Sequence, residues 1–145
     1  MDAERAFSRT VRARRRAALK RRLRREPAEH GRLPVYDQPG LGRAAAAAAV
    51  AAAPGVREIP VGEITGTLEP SRATLFDRCF RPSTAARGRW ERVWLAEHRG
   101  AVLPPISVVR VGDRYAVRDG HHRVSVAKAR GAVTIDATVD AAAAA

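Results

Sequence analysis

Cysteine is nearly missing from this chain: Cys79 stands alone among 145 residues. No disulfide framework can form within it, and the usage fits a reducing compartment. Flanked by Leu75, Phe76 and Phe80, Cys79 reads as a small buried hydrophobe rather than a reactive thiol. Large apolar side chains are also scarce. Hydrophobic residues make up 46% of the chain, but much of that is alanine. The aromatics number seven: Phe7, Tyr36, Phe76, Phe80, Trp90, Trp94 and Tyr115. Any core must be small and centred on residues 56–139, which hold five of the seven. No apolar run approaches the ~20 residues of a membrane span. The charged N-terminus lacks the apolar centre of a secretory signal. The expectation is a cytoplasmic protein with no membrane partner. Acidic charge is short as well, with 15 Asp/Glu against 27 Lys/Arg and a net charge of +12.

The basic excess is uneven. Residues 1–33 carry 12 Lys/Arg against 4 Asp/Glu, a net of +8, and leave +4 for the rest. Such a surface attracts nucleic acid, nucleotides or acidic partners without specificity. Residues 3–26 read as a helix, free of Gly and Pro until Pro27. Phe7, Val11 and Ala18 make a partial apolar stripe. Arg14, Arg15, Arg16, Lys20, Arg21, Arg22, Arg24 and Arg25 are the candidate nucleic-acid contacts, through phosphates. The competing reading is a solvated helix packed weakly on the domain.

The chain divides into a basic helical extension (1–33), a Pro/Gly- and Ala-rich connection (34–55), a domain (56–139) and an Ala-rich tail (140–145). Alanines 44–53 suggest a helix ended by Pro54-Gly55. Residues 57–64 read as a strand broken by Pro60, hence at an edge. Ser71 is an N-cap candidate for a helix over 72–80. A second helix runs from Ser83 or Thr84 to Arg99, with Gly100 as its stop and Trp90 and Trp94 in the core. Gly112-Asp113 marks a hairpin pairing Arg110 with Tyr115 and Val108 with Val117, which puts Ile106, Val108, Tyr115 and Val117 on one face. A last strand covers 133–139.

The chemistry concentrates in Asp119-Gly120-His121-His122-Arg123. Val117 ends a strand, Asp119-Gly120 is a turn signal, and a helix starts at His121 and stops at Gly131. Free N–H groups and the helix dipole there favour an anion. Gly120 permits close approach. Arg123 can grip a phosphate or carboxylate. Asp119 is open between orienting a ligand group and capping the helix. Either histidine could move protons near neutral pH. Adjacent histidines do not share a helix face, and no third ligand is near, so no metal site is expected.

The run Pro105-Ile106-Ser107-Val108, a short hairpin, then Val117-Arg118-Asp119-Gly120-His121-His122-Arg123 and a helix resembles the ParB/sulfiredoxin superfamily, over about residues 56–139. Small ParB-like proteins of high-GC bacteria are the nearest in pattern. The resemblance implies an α+β fold, a small mixed sheet with packed helices, and phosphate binding at Gly120–Arg123. It gives Arg72 a position like that of a basic residue after the first strand of ParB-like proteins. Branches of the superfamily are CTP-dependent DNA clamps, ATP-dependent sulfinic acid reductases, free-serine kinases and reported nucleases. His121 stands where the reductases carry their catalytic Cys, which argues against that chemistry. His121 and His122 replace two residues of the partition proteins' Gly-Glu-Arg-Arg. The DNA-binding and dimerisation domains of those proteins are not expected to follow. The implied function is a nucleotide (phosphate)-binding module, with nucleotide and Mg2+ the ligands the pocket would take and DNA a partner of the basic helix. The alternative is an enzyme, a small-molecule kinase or nuclease, using the same pocket; no complete catalytic constellation decides it.

Overall fold

The computed structural model describes residues 2–36 and 55–141. The helix expected over 44–53 and the tail residues 142–145 lie outside the described residues. The architecture is α+β. Strands β1 (Val56–Pro60), β2 (Ile64–Thr67), β3 (Ile106–Val111), β4 (Arg114–Asp119) and β5 (Thr134–Ala141) form one mixed sheet in the order β1-β5-β3-β4-β2. β1 and β5 are antiparallel, as are β3 and β4; β3–β5 and β2–β4 are parallel.

Alternation and turn chemistry place the central hairpin. Gly112 takes φ 62 in the turn, and the register pairs Arg110 with Tyr115 and Val108 with Val117, as the two-residue loop demands. Ile106, Val108, Tyr115 and Val117 join the main core cluster on one face. β1 lies at a sheet edge and ends on Pro60, which has no N–H to offer a further partner. At the other edge, residues 34–36 run along β2. Tyr36 donates its N–H to the Thr67 carbonyl at 2.9 Å, and Thr67 donates to the Pro34 carbonyl at 2.9 Å. The seat for this strap is Gly66, where a Cβ would fall 2.3 Å from the Tyr36 ring.

Among the described residues four α-helices pack with the sheet: α1 (Asp2–Leu23), α2 (Arg72–Leu75), α3 (Arg87–His98) and α4 (His121–Ala129). α1 ends three residues earlier than the composition suggests. Glu26 precedes Pro27, whose ring disfavours helical backbone before it. Arg25 instead takes φ 54, while Glu26 N–H bonds the Arg21 carbonyl and Arg25 N–H bonds that of Arg22. This is the closing geometry that usually employs glycine. α1 is also no loose arm. Ala3, Ala6, Phe7 and Val11 are buried in the main core cluster, and the Phe7 ring meets Trp90 edge-on at 5.5 Å. Arg14 fastens the helix further, donating to the carbonyls of Leu75 (3.0 Å) and Thr74 (3.1 Å).

The helix expected over 72–80 shrinks to one turn. Asp77 accepts the N–H groups of Cys79 (2.9 Å) and Arg81 (2.8 Å), a local arrangement that competes with helix. Phe76 turns extended and Phe80 takes φ 58, both still buried. Ser71 has helical backbone and makes no capping bond. Cys79 is exposed at the tip of this loop, contrary to its apolar setting in the sequence. The next helix begins with a 3-10 turn (Thr84–Ala86), without a Ser83 cap, and closes at Gly100 with φ 76. Trp90 and Trp94 are both core residues. No described helix is long and apolar enough to cross a membrane.

Candidate functional site

β4 delivers the chain to α4 through Gly120, which has φ 110 and ψ 25. That backbone is costly for any residue with a Cβ. Space forbids one too, because a Cβ here would stand 2.5 Å from Ile106 Cγ2. The first helical bond after the turn runs from the Val124 N–H to the Gly120 carbonyl, at 3.0 Å. The amides of His121, His122 and Arg123 therefore precede the helix's own ladder.

Beside this turn lies a cavity of about 250 Å³, lined by the turn residues 119–123, by Arg72 and Arg89, and by Val93, Leu103 and Pro104. The chain thus brings Asp119, Gly120, His121, His122, Arg123 and Arg72 to one place. α2 supplies Arg72; α3 supplies Arg89 and Val93. Arg89 was not evident from sequence, although a signal existed. Residues 89 and 93 lie one position before Trp90 and Trp94, on the flank of the buried face of the same helix.

The two histidines have separate settings. His121 is buried, its Nε2 lies 2.6 Å from Thr67 Oγ1, and its ring stacks against Phe76. Thr67 Oγ1 also accepts the Glu69 N–H at 2.9 Å. His121 thereby ties α4 to the end of β2. His122 is buried with its ring edge-on to Phe76 at 5.2 Å. Burial pushes the pKa of each down to about 4. Arg89, Arg72 and Arg92 depress His122 further; Arg72 acts on His121 in the same sense. Both imidazoles are neutral at pH 7.

Arg123 is partly committed within the protein. Its Nη1 donates to the carbonyls of Pro104 and Pro105, and its Nη2 lies 3.3 Å from Asp119 Oδ2. Asp119 pairs with Arg123 and makes no helix cap; its side chain is 72% exposed, so this pairing is weak. Arg72 and Arg89 form no ion pair among the described residues, and Asp119 is the sole carboxylate in the lining. Among the described residues no three His, Cys, Asp or Glu side chains cluster as a metal site.

The expected nucleic-acid contacts of α1 are divided by the fold. Arg14 is turned inward, and burial lowers its pKa. Arg21 is half-buried and packs against Gly31. Arg15, Arg16, Lys20, Arg22, Arg24 and Arg25 are exposed.

Fold and site together define a small α+β protein with an arginine-lined cavity at a helix N-terminus. No family model matches the chain, and no curated protein sequence is similar to it. Among solved structures it is similar to the crystal structure of sulfiredoxin from Arabidopsis thaliana, with a TM-score of 0.45 and 20% identity, covering 61% of this chain and 86% of that one.

Proposed function

We propose that this protein is a nucleotide-binding module whose cavity at Gly120–Arg123 receives the phosphates, and that its basic α1 associates with DNA. The observation that carries the first part is the charge of the lining. Arg72, Arg89 and Arg123 converge with the leading amides of α4 on a cavity holding one carboxylate, Asp119. Anions are stabilised by such N–H groups and by guanidinium forks. The residues fit phosphate better than metal. A Mg2+ arriving with the nucleotide would find only Asp119 as a protein ligand, in keeping with the few carboxylates such ions use beside phosphates.

The enzyme alternative needs a proton acceptor, and the lining offers His121, His122 and Asp119. Burial lowers both imidazoles to about 4, which makes them weak bases at neutral pH, and Asp119 is paired with Arg123.

The test is calorimetric titration of ATP, ADP, CTP and GTP, each with magnesium, into the wild type and into Arg72→Ala/Arg89→Ala. These two arginines are preferable to Arg123, which also holds Pro104 and Pro105. One nucleotide should bind, and the double variant should lose at least ten-fold in affinity. A folded wild type that binds none of the four would refute the reading. Turnover of a bound nucleotide would move it to the enzyme class.

A further inference from the structure

α1 has two opposite faces, and among the described residues only one packs against the domain. Residues 3, 7, 11, 14, 18 and 21 follow helical spacing on the inner face, where Ala3, Phe7 and Val11 are buried and Arg14 is bonded inward. The opposite line runs through Arg5, Arg9, Arg12, Arg16 and Lys20, all exposed. None of the five is in an ion pair among the described residues. At 1.5 Å per residue the line is about 22 Å long. Its flank opens into a groove between α1 and the end of α4. The groove, of about 490 Å³, has Arg9, Arg16 and Arg130 as its charged lining residues and no carboxylate.

We infer that this row, with the groove beside it, is a docking surface for the phosphate backbone of duplex DNA, read without regard to base sequence. The inference rests on the DNA-association part of the proposed function and names its residues and its mode. Three features decide the partner. The row is rigid, because Phe7 and Arg14 fix the helix to the domain. It offers Arg and Lys alone, the side chains that supply most phosphate contacts, and it has no Asn or Gln to read adenine edges. It lacks an open aromatic platform of the kind single strands stack on; Trp94, the aromatic in the groove, is only 8% exposed and is already stacked on His98. An anionic membrane is the less suited partner. Leu19 and Leu23 are exposed apolar residues near the C-terminal end of the row, too few for an inserted face.

The experiment measures fluorescence anisotropy of two labelled duplexes of about 20 base pairs with unrelated sequences, and of one of their single strands, over a range of salt concentrations. The proteins are the full-length wild type, Arg9→Gln/Arg12→Gln/Arg16→Gln, and the charge-matched control Arg57→Gln/Arg99→Gln/Arg114→Gln. The wild type should bind both duplexes equally. The slope of log affinity against log salt should be about −4 to −5 for five phosphates. The row variant should lose at least ten-fold at low salt, and about three of those slope units. The control should lose less than three-fold. Equal losses in both variants would overturn the proposal in favour of net charge. Tighter binding to the single strand would overturn the duplex assignment, as would binding to phosphatidylserine vesicles in place of DNA. DNA affinity lost in Arg72→Ala/Arg89→Ala but kept in the row variant would place DNA at the cavity. A wild type that ignores DNA yet binds a nucleotide would end this inference and leave the cavity reading standing.

Discussion

His121 and His122 are neighbours in sequence with different work. One anchors Thr67 through a 2.6 Å contact; the other borders a cluster of arginines. Both resist protonation when folded, with pKa values near 4 against an ordinary 6.5. Between those values the unfolded chain binds more protons than the folded one. Stability therefore rises with pH across that window and falls as pH drops from about 6.5 toward 4. Urea titrations at pH 7, 6 and 5 should show the midpoint decline. His121→Asn/His122→Gln should flatten the decline above pH 5, where few carboxylates titrate. A variant that keeps the wild-type pH slope would show that these histidines are not its source.

At the scale of elements, α1 carries the sharpest consequence. Its Phe7 is 3% exposed and packs on Trp90. Phe7→Ala should destabilise the whole domain by about 3 kcal/mol or more, as large-to-small changes in a core do. Chemical denaturation is the check; an unchanged midpoint would mean that the helix is a detachable arm. This docking was only half legible in sequence, because Phe7 and Val11 supply few large groups and alanine completes the stripe. The β3–β4 hairpin was legible down to its register, because Gly112-Asp113 and the alternation around it are local signals. The turn at Gly120 was legible for the same reason. α2 was not, since Asp77 diverts the chain after Leu75 by bonds to Cys79 and Arg81. Arg89 joins the cavity from a helix about thirty residues earlier, a proximity that only the packing of α3 on α4 creates.

For the molecule as a whole, the strap at 34–36 has a meaning beyond its own bonds. An open sheet edge is a template on which a second chain can add a strand, and proteins that leave one bare tend to aggregate. Here the β2 edge is occupied by Tyr36 and Pro34, while β1 presents Pro60 and the charged Arg57 and Glu58. Gly66 holds the first guard in place, since any side chain there collides with Tyr36. Gly66→Val should push the strap away and bare the edge, giving association that grows with concentration in static light scattering. A variant scattering like the wild type at every concentration would show the edge protected by other means. The missing Cβ of one glycine thus leaves room for the Tyr36 ring, and with it the strap, along the β2 edge.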